Sequence, residues 1–259
     1  MPISKTPILL FHKIDDSFEW GITRQKVKQF EREIKFLSEN GYKTITLEEV
    51  EQLTNQDKKV ILTFDDGYES IYTNAFPILQ RYDMFAYIFI PTGYVDKENI
   101  WDANLGNIRF RHLGWEQIKE MSNYGFVFGS HSVNHPDLTK LEDKHLQYEL
   151  KVSKDQLEQK LGKEVKFLSY PFGKTNPKVC AKTKEVGYKM GFTICKSFSQ
   201  ANHFAIARKP LYLLDSLLSF KIKLEENRFA WIEDIKSKII NSFANGTIIY
   251  KRLPRYEDV

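Results

Sequence analysis

Five short apolar runs in this chain stop at residues that can do chemistry. Residues 7–11 (PILLF) run into His12, and residues 60–64 (VILTF) into Asp65-Asp66-Gly67. Residues 85–90 stop at Pro91-Thr92-Gly93, 126–128 lead to His131, and 166–169 lead to Tyr170-Pro171-Phe172-Gly173. Each run has the length and the β-branched or aromatic content of a buried strand. Helical spacing fills the intervals. Val27, Phe30, Ile34 and Leu37 mark one helix face, with Thr23 as the expected N-cap and Asn40-Gly41 as the stop. Further helices are expected over 70–81, 115–124, 142–161 and 177–186, and further strands over 42–46 and 190–194. Thr46 and Glu49 read as a capping box. Weaker strand signals at 211–214 and 247–250 flank a helix near 231–240.

This alternation predicts an α/β fold with a parallel sheet, either open and doubly wound or closed as a barrel. In a parallel barrel every strand C-terminus opens on one face, and active sites sit there. Histidines and aspartates scattered without purpose would not fall at strand ends repeatedly. No repeat, low-complexity segment or linker interrupts the pattern, so 1–259 is expected to be one domain.

Composition removes the competing classes. Hydrophobic residues are 42% and charged residues 28% of the chain, ordinary globular usage that excludes disorder and collagen-like structure. Aromatic residues are 14%, enough for a packed barrel core or a stacking cleft. A net charge of +4 spread along the chain gives no electrostatic case for a nucleic-acid partner. Two cysteines, Cys180 and Cys195, make no disulfide framework and are expected as buried thiols in a reducing compartment. No apolar run is long enough to span a membrane. The N-terminus lacks the length and cleavage site of a secretory signal. A cytoplasmic protein is expected, or an exported one whose signal has been trimmed. Nothing in the sequence sets an oligomeric state.

His131-Ser132-Val133-Asn134-His135 carries two imidazoles at i, i+4. On a helical turn these project to one side, as two nitrogen ligands of one ion require. Read alone, the pair has a bland alternative as surface or capping histidines, and Asp65-Asp66-Gly67 has one as a polar turn. Together at strand ends they favour a His₂Asp site with one carboxylate left over. Two nitrogens, one oxygen and an open position suit a hydrolytic metal, zinc first.

Thr63-Phe64-Asp65-Asp66-Gly67 followed by His131-Ser132-Val133-Asn134-His135 resembles the polysaccharide deacetylases, the NodB-homology group or carbohydrate esterase family 4. Phe89-Ile90-Pro91-Thr92-Gly93 is similar to the strand after the family's first motif, and Tyr170-Pro171-Phe172-Gly173 to its third. Residues 7–12 resemble the N-terminal strand-His segment of the branch that deacetylates poly-N-acetylglucosamine. The resemblance covers about residues 6–213 and leaves 214–259 as a C-terminal extension of unassigned role. It implies a distorted (β/α)₇ barrel and hydrolysis of an N-acetyl group from a sugar or polysaccharide, with release of acetate. It also implies that Asp66, His131 and His135 hold one divalent ion, with Ni²⁺, Co²⁺, Mn²⁺ or Fe²⁺ as alternatives to Zn²⁺. Asp65 is then the general base, and a backbone N–H near Phe172 stabilises the oxyanion.

The chain departs from that pattern in informative places. Ser169 stands where many members carry the arginine that pairs with the base. Arg208 is the candidate substitute, with a solvated surface arginine as the plainer reading. Phe172 replaces a tyrosine. No Leu-x-x-His follows the third motif, so His12 is expected to be the general acid, as in the permuted branch, with His203 as the alternative. A nearby carboxylate is expected to hold the His12 pKa near or above its ordinary value. His112 and His145 read as surface residues. Trp101, Leu113 and Trp115 precede the histidine motif and are sugar-stacking or core candidates, and Tyr170 and Pro171 are expected among the substrate contacts. Two other functions remain as readings: hydrolysis of another C–N bond, such as that of a cyclic amide or small metabolite, and a non-catalytic carbohydrate-binding role.

Overall fold

The computed structural model describes residues 6–19, 22–52, 58–99, 109–194 and 203–225, with Glu233, Ile235 and Lys236. Its strands are β1 (Ile8–Phe11), β2 (Lys13–Ile14), β3 (Arg24–Gln25), β4 (Lys43–Thr44), β5 (Lys59–Phe64), β6 (Tyr87–Ile90), β7 (Val127–Ser130), β8 (Phe167–Ser169), β9 (Met190–Thr193), β10 (Ile206–Ala207) and β11 (Lys209–Pro210). Its helices are α1 (Val27–Glu39), α2 (Phe76–Arg81), α3 (Trp115–Asn123), α4 (Asp143–Leu161), α5 (Pro177–Glu185) and α6 (Leu217–Glu225).

The main sheet runs β10-β9-β8-β7-β6-β5-β1-β11, and its neighbours pair in parallel. β10 and β11 are the two halves of one extended segment. Ile206 pairs with Phe192 of β9, and Lys209 pairs with Leu9 of β1. One stretch of chain therefore meets both ends of the sheet and curls it into the expected (β/α)₇ barrel, with the distortion at this short seam. The pairing expected at 211–214 falls earlier, at 206–207 and 209–210. Beyond them the chain turns, because Leu213 N–H donates to Ile22 O and Tyr212 N–H to Asp215 Oδ2.

Strand alternation sorts the core into two layers. Leu9, Phe11, Leu62, Phe64, Ile88 and Ile90 face the surrounding helices. Ile8, Ile61, Tyr87, Phe89, Phe167 and Phe192 form a second cluster. Phe89 and Phe192 meet there at 5.5 Å. Gly129 makes room for this layer, since a Cβ there would lie 2.6 Å from the Phe89 ring.

The helices follow their spacing with local shifts. α1 buries Phe30, Ile34 and Leu37 as expected, but its N-cap is Lys26 rather than Thr23. Asp16 Oδ1 accepts the Val27 N–H, so the first turn is capped from a neighbouring loop. The helix expected over 70–81 opens as a π-turn, Ile71–Ala75, before α2. Pro77 has no N–H to give to a regular turn, and the wider winding absorbs it. The strand expected over 42–46 shrinks to β4. The Thr46–Glu49 capping box is present, with Thr46 N–H on Glu49 Oε2 at 2.6 Å and Glu49 N–H on Thr46 Oγ1 at 3.3 Å. In the C-terminal region, Phe220 of α6 packs edge-on against Phe36 of α1. The 247–250 strand and most of the 231–240 helix lie outside the described residues. Among the described residues no helix is long and apolar enough to cross a membrane.

Candidate active site

Three side chains from two strand ends converge at the barrel mouth. Asp66 follows β5, and His131 and His135 follow β7. Asp66 Oδ1 lies 3.4 Å from His131 Nε2 and 3.4 Å from His135 Nε2, and the two Nε2 atoms are 3.2 Å apart. All three residues are buried. An ion about 2.0–2.1 Å from three tetrahedral ligands sets those ligand atoms roughly 3.3 Å apart, so the triangle fits one ion. The donor chemistry agrees. His131 Nδ1 donates to Ser169 O at 2.7 Å, which leaves the Nε2 lone pair facing the triangle. Burial pushes the Asp66 carboxyl up, but the two imidazoles more than offset this and hold it well below the ordinary carboxylate range. Burial lowers His131, yet Asp65 and Asp66 leave it raised overall. The ionised Asp66 carboxylate thus favours a cation at the triangle.

The two histidines do not share a helical turn, contrary to the i, i+4 reading. Residues 131–135 form an irregular turn in which Ser132 (φ 67°) and His135 (φ 56°) are left-handed. Side chains hold it open. Ser132 Oγ accepts the His135 N–H at 3.0 Å. Glu149 of α4, fully buried, accepts from Val133 N–H (2.8 Å), Asn134 N–H (2.8 Å) and Asn134 Nδ2 (2.9 Å). Asp66 (φ 69°) and Phe172 (φ 59°) are left-handed as well. Such residues cost about 1–3 kcal/mol each and persist where surrounding structure over-determines them. Four of them around one centre mark it as built for something other than stability. Gly67, at φ 57°, completes the turn after Asp66, where a Cβ would lie 2.6 Å from Ile90 Cδ1.

Asp65, beside the triangle, is held by the barrel seam. Arg208 sits between β10 and β11 and grips it with two parallel bonds, Nη1 to Oδ1 at 2.8 Å and Nη2 to Oδ2 at 2.6 Å. Ser169 Oγ donates to Oδ2 at 2.9 Å, and Arg208 Nη2 also reaches Ser169 Oγ at 2.8 Å. Arg208 lies over Phe89 and Phe192, its guanidinium carbon 5.4 and 5.8 Å from the ring centres. The solvated reading of Arg208 therefore fails, since it is 2% exposed. Burial pushes the Asp65 carboxyl up, but Arg208 and His131 outweigh it and leave it below the ordinary value.

His12 ends β1 at the same mouth, within electrostatic reach of Asp66, Asp65, Arg208 and His131. Its pKa is lowered, not held up as expected, because burial outweighs the two carboxylates. His203 is exposed, and its carbonyl accepts from Gly191 N–H early in β9, two residues before that strand's C-terminus. It leads into the opposite end of the barrel. His112 is not a surface residue. It is 3% exposed, its Nδ1 lies 2.7 Å from Asp66 O, and its ring stacks on Tyr68 at 5.0 Å. Burial pushes its pKa down to about 4, so it supports the Asp66 turn as a neutral ring. His145 is half-buried on α4.

The remaining candidates separate. Pro171 is buried in the turn that gives Phe172 its left-handed backbone, and the Phe172 ring meets His135 edge-on at 4.6 Å. The Tyr170 hydroxyl leaves the site and donates to Phe204 O at 2.8 Å, which makes this side chain a strut rather than a substrate contact. Trp115 takes the second of its two expected roles. It packs against the core, with Lys160 of α4 5.6 Å from its ring centre, in the helical layer. Leu113 is fully buried, and its N–H bonds Gly67 O at 2.8 Å. Cys180 is buried as expected. Trp101 and Cys195 lie outside the described residues. Sequence reasoning missed Glu149 and the role of His112. Glu149 leaves one trace, an acidic residue inside the apolar stripe of α4.

The comparisons with known proteins converge on one family. Residues 52–191 match the family model for polysaccharide deacetylase. The Bacillus subtilis protein YxkH, described as a polysaccharide deacetylase, is 33% identical over 73% of this chain and 64% of its own length. The poly-beta-1,6-N-acetyl-D-glucosamine N-deacetylase of Staphylococcus aureus is 31% identical over 64% of this chain and 59% of its own. The chain thus aligns with less than two thirds of either relative. The crystal structure of the Streptococcus pyogenes deacetylase PplD, solved with acetate, superposes with a TM-score of 0.74 at 28% identity. That match covers 87% of this chain and all of PplD.

Proposed function

Because the chain belongs to the polysaccharide deacetylase family, we propose that it hydrolyses N-acetyl groups from a polymer of N-acetylated amino sugars, releasing acetate, with the help of one divalent ion. The observation that carries this is the Asp66, His131 and His135 triangle, 3.2–3.4 Å on each edge, with the Arg208-bound carboxylate of Asp65 beside it. Likeness to the Staphylococcus aureus enzyme favours poly-β-1,6-N-acetylglucosamine as substrate.

Asp66, His131 and His135 would hold the ion, zinc first, which supplies Lewis acidity toward a water and the acetyl carbonyl. Asp65 takes the proton of the attacking water. Its Oδ2 already accepts two donors and its Oδ1 one, so Oδ1 keeps a lone pair for that proton. Arg208 fixes this carboxylate and keeps it ionised. The oxyanion role falls to the backbone N–H of Phe172, a left-handed residue whose ring meets His135. His12 delivers a proton to the leaving amine. Burial lowers its pKa, so the alkaline limb of the rate falls at lower pH than a solvated histidine gives.

The test is metal analysis together with acetate release on a panel of N-acetylated glycans and cyclic amides. About one divalent ion per chain and acetate from a glycan are expected. Turnover confined to cyclic amides would overturn the reading.

A further inference from the structure

The extension after residue 213, which the motifs leave without a role, carries a buried ammonium. Lys223 lies on α6 and is 3% exposed. A buried charge is costly unless it is paired and hydrogen-bonded, so its partners show what the lysine is for. Its Nζ donates to Pro210 O at 2.8 Å and to Asp215 Oδ2 at 2.6 Å, and Glu233 Oε2 lies 3.3 Å away. Pro210 is the last residue of β11, the half of the seam that pairs with β1.

The contact runs both ways. Lys209 Nζ of β11 donates to Lys223 O at 2.7 Å. That carbonyl belongs to the last turn of α6, where no partner exists inside the helix and a cation suits the helix dipole. One seam side chain thus caps the helix, and one helix side chain holds the seam. Asp215 extends the clasp. Its Oδ2 also accepts the Tyr212 N–H at 2.9 Å, and Lys236 bonds its Oδ1. From α1, Gln29 Nε2 donates to Tyr212 O at 3.3 Å and to Asp215 O at 3.0 Å.

This seam needs holding. Each half is two residues long, and Pro210 has no N–H to give to the ladder. Arg208 sits between the halves, two residues before Pro210. Its bonds to Asp65, at 2.8 and 2.6 Å, weaken steeply once distance or angle slips. Apolar burial is non-directional and does not set such a position. Hydrogen bonds from a buried ammonium to the seam backbone and to Asp215 do.

We propose that Lys223 is a positioning residue for the reaction: by tying Pro210 and Asp215 to α6 it fixes the seam, so that Arg208 keeps its two-bond grip on Asp65. The inference rests on the deacetylase reading and makes residues 214–225 part of the working enzyme.

The experiment compares Lys223→Met and Phe76→Leu with wild type as metal-loaded full chains on the β-1,6-linked N-acetylglucosamine hexamer. Ion content and thermal midpoint are recorded for each, and acetate release is expressed per folded, ion-bearing chain. Phe76 packs on Phe126 at 5.1 Å, so its variant supplies a loss of stability outside the seam. Lys223→Met should lose about tenfold in kcat with KM within about twofold, less than the roughly 10²-fold that an ångström of misplacement costs, and Phe76→Leu should keep kcat within about twofold. Unchanged kcat in Lys223→Met, a loss carried by KM, or an equal loss in Phe76→Leu would overturn the proposal. Where Lys223→Met does not fold, Lys223→Gln is read by the same criteria. If wild type releases no acetate from any N-acetylated glycan, the deacetylase reading fails, and amide exchange decides the clasp. The Arg208 and Leu211 N–H groups, bonded to Thr193 O and Leu10 O, should then exchange about tenfold faster in the Lys223 variant, with β6 and β7 unchanged. Unchanged or uniformly faster exchange would overturn it.

Discussion

Glu149 offers the sharpest test of how the ion site is built. It accepts three hydrogen bonds from the turn that joins the two histidines. Glu149→Ala removes all three. A hydrogen bond to a charged group is worth about 1.5–3 kcal/mol, and a buried N–H left unpaired costs about 1–3 kcal/mol. The three share one acceptor group and the turn can relax, so they do not add; about 3–5 kcal/mol is expected. Alanine is the best helix former, so α4 itself is not weakened and the damage falls on the turn. The turn sets the 3.2 Å spacing of the two Nε2 atoms. Zinc affinity should therefore fall about 10–100-fold, the usual effect of removing a group that orients metal ligands. Competition against a chelator of known affinity measures this, and denaturant unfolding of the metal-free protein measures stability separately. Glu149→Gln keeps one acceptor oxygen and should lose less of both. A folded Glu149→Ala protein that binds zinc as wild type does would refute the claim that α4 sets the ligand geometry.

Four further outcomes follow. His131→Ala should lose ion and activity together, and full occupancy in the His131→Ala/His135→Ala protein would remove the site. Asp65→Asn should keep the ion and lose about 10²–10⁴ in rate; turnover near wild type would reassign the base. Arg208→Met leaves a buried carboxylate without its counter-charge and should destabilise by about 3–5 kcal/mol at neutral pH. The Asp65 carboxyl is depressed on folding, so its contribution is complete above an unfolded value of about 3.9 and is lost as pH falls through the folded one. The stability gap between wild type and Arg208→Met should accordingly narrow in acid, and a gap independent of pH in urea titrations would contradict the pairing. His12→Gln should retain the ion and lose turnover together with the alkaline limb of the pH–rate profile; if His203→Gln does this instead, the acid lies elsewhere.

The sequence exposed those parts of the site that chain geometry repeats. A parallel barrel puts every strand end on one face, so Asp65, Asp66, His12 and His131 could be grouped from apolar runs alone. The same reasoning misjudged the His131–His135 turn, because i, i+4 spacing fits a helix and an irregular turn alike. It left Arg208 undecided, because Arg208 and Asp65 are 143 residues apart and meet only when the sheet closes. His112 and Glu149 bond to backbone groups of the site, and backbone groups leave no mark in a sequence. Tyr170 and Trp115 sit near motifs in the chain but point into the helical layer, a choice that packing makes and proximity does not.

The seam at residues 206–210 gives synthesis a direction. Asp65, Asp66, His131 and His135 have all been synthesised once residue 135 is made, yet the arginine that pairs with Asp65 arrives only with the last stave. Until that segment docks between β9 and β1, the nascent barrel has an open edge and an ionised Asp65 that resists burial. The same few residues thus close the sheet and supply the counter-charge of Asp65. A chain stalled before them would hold Asp66, His131 and His135 in an unfinished barrel, with Asp65 lacking its partner.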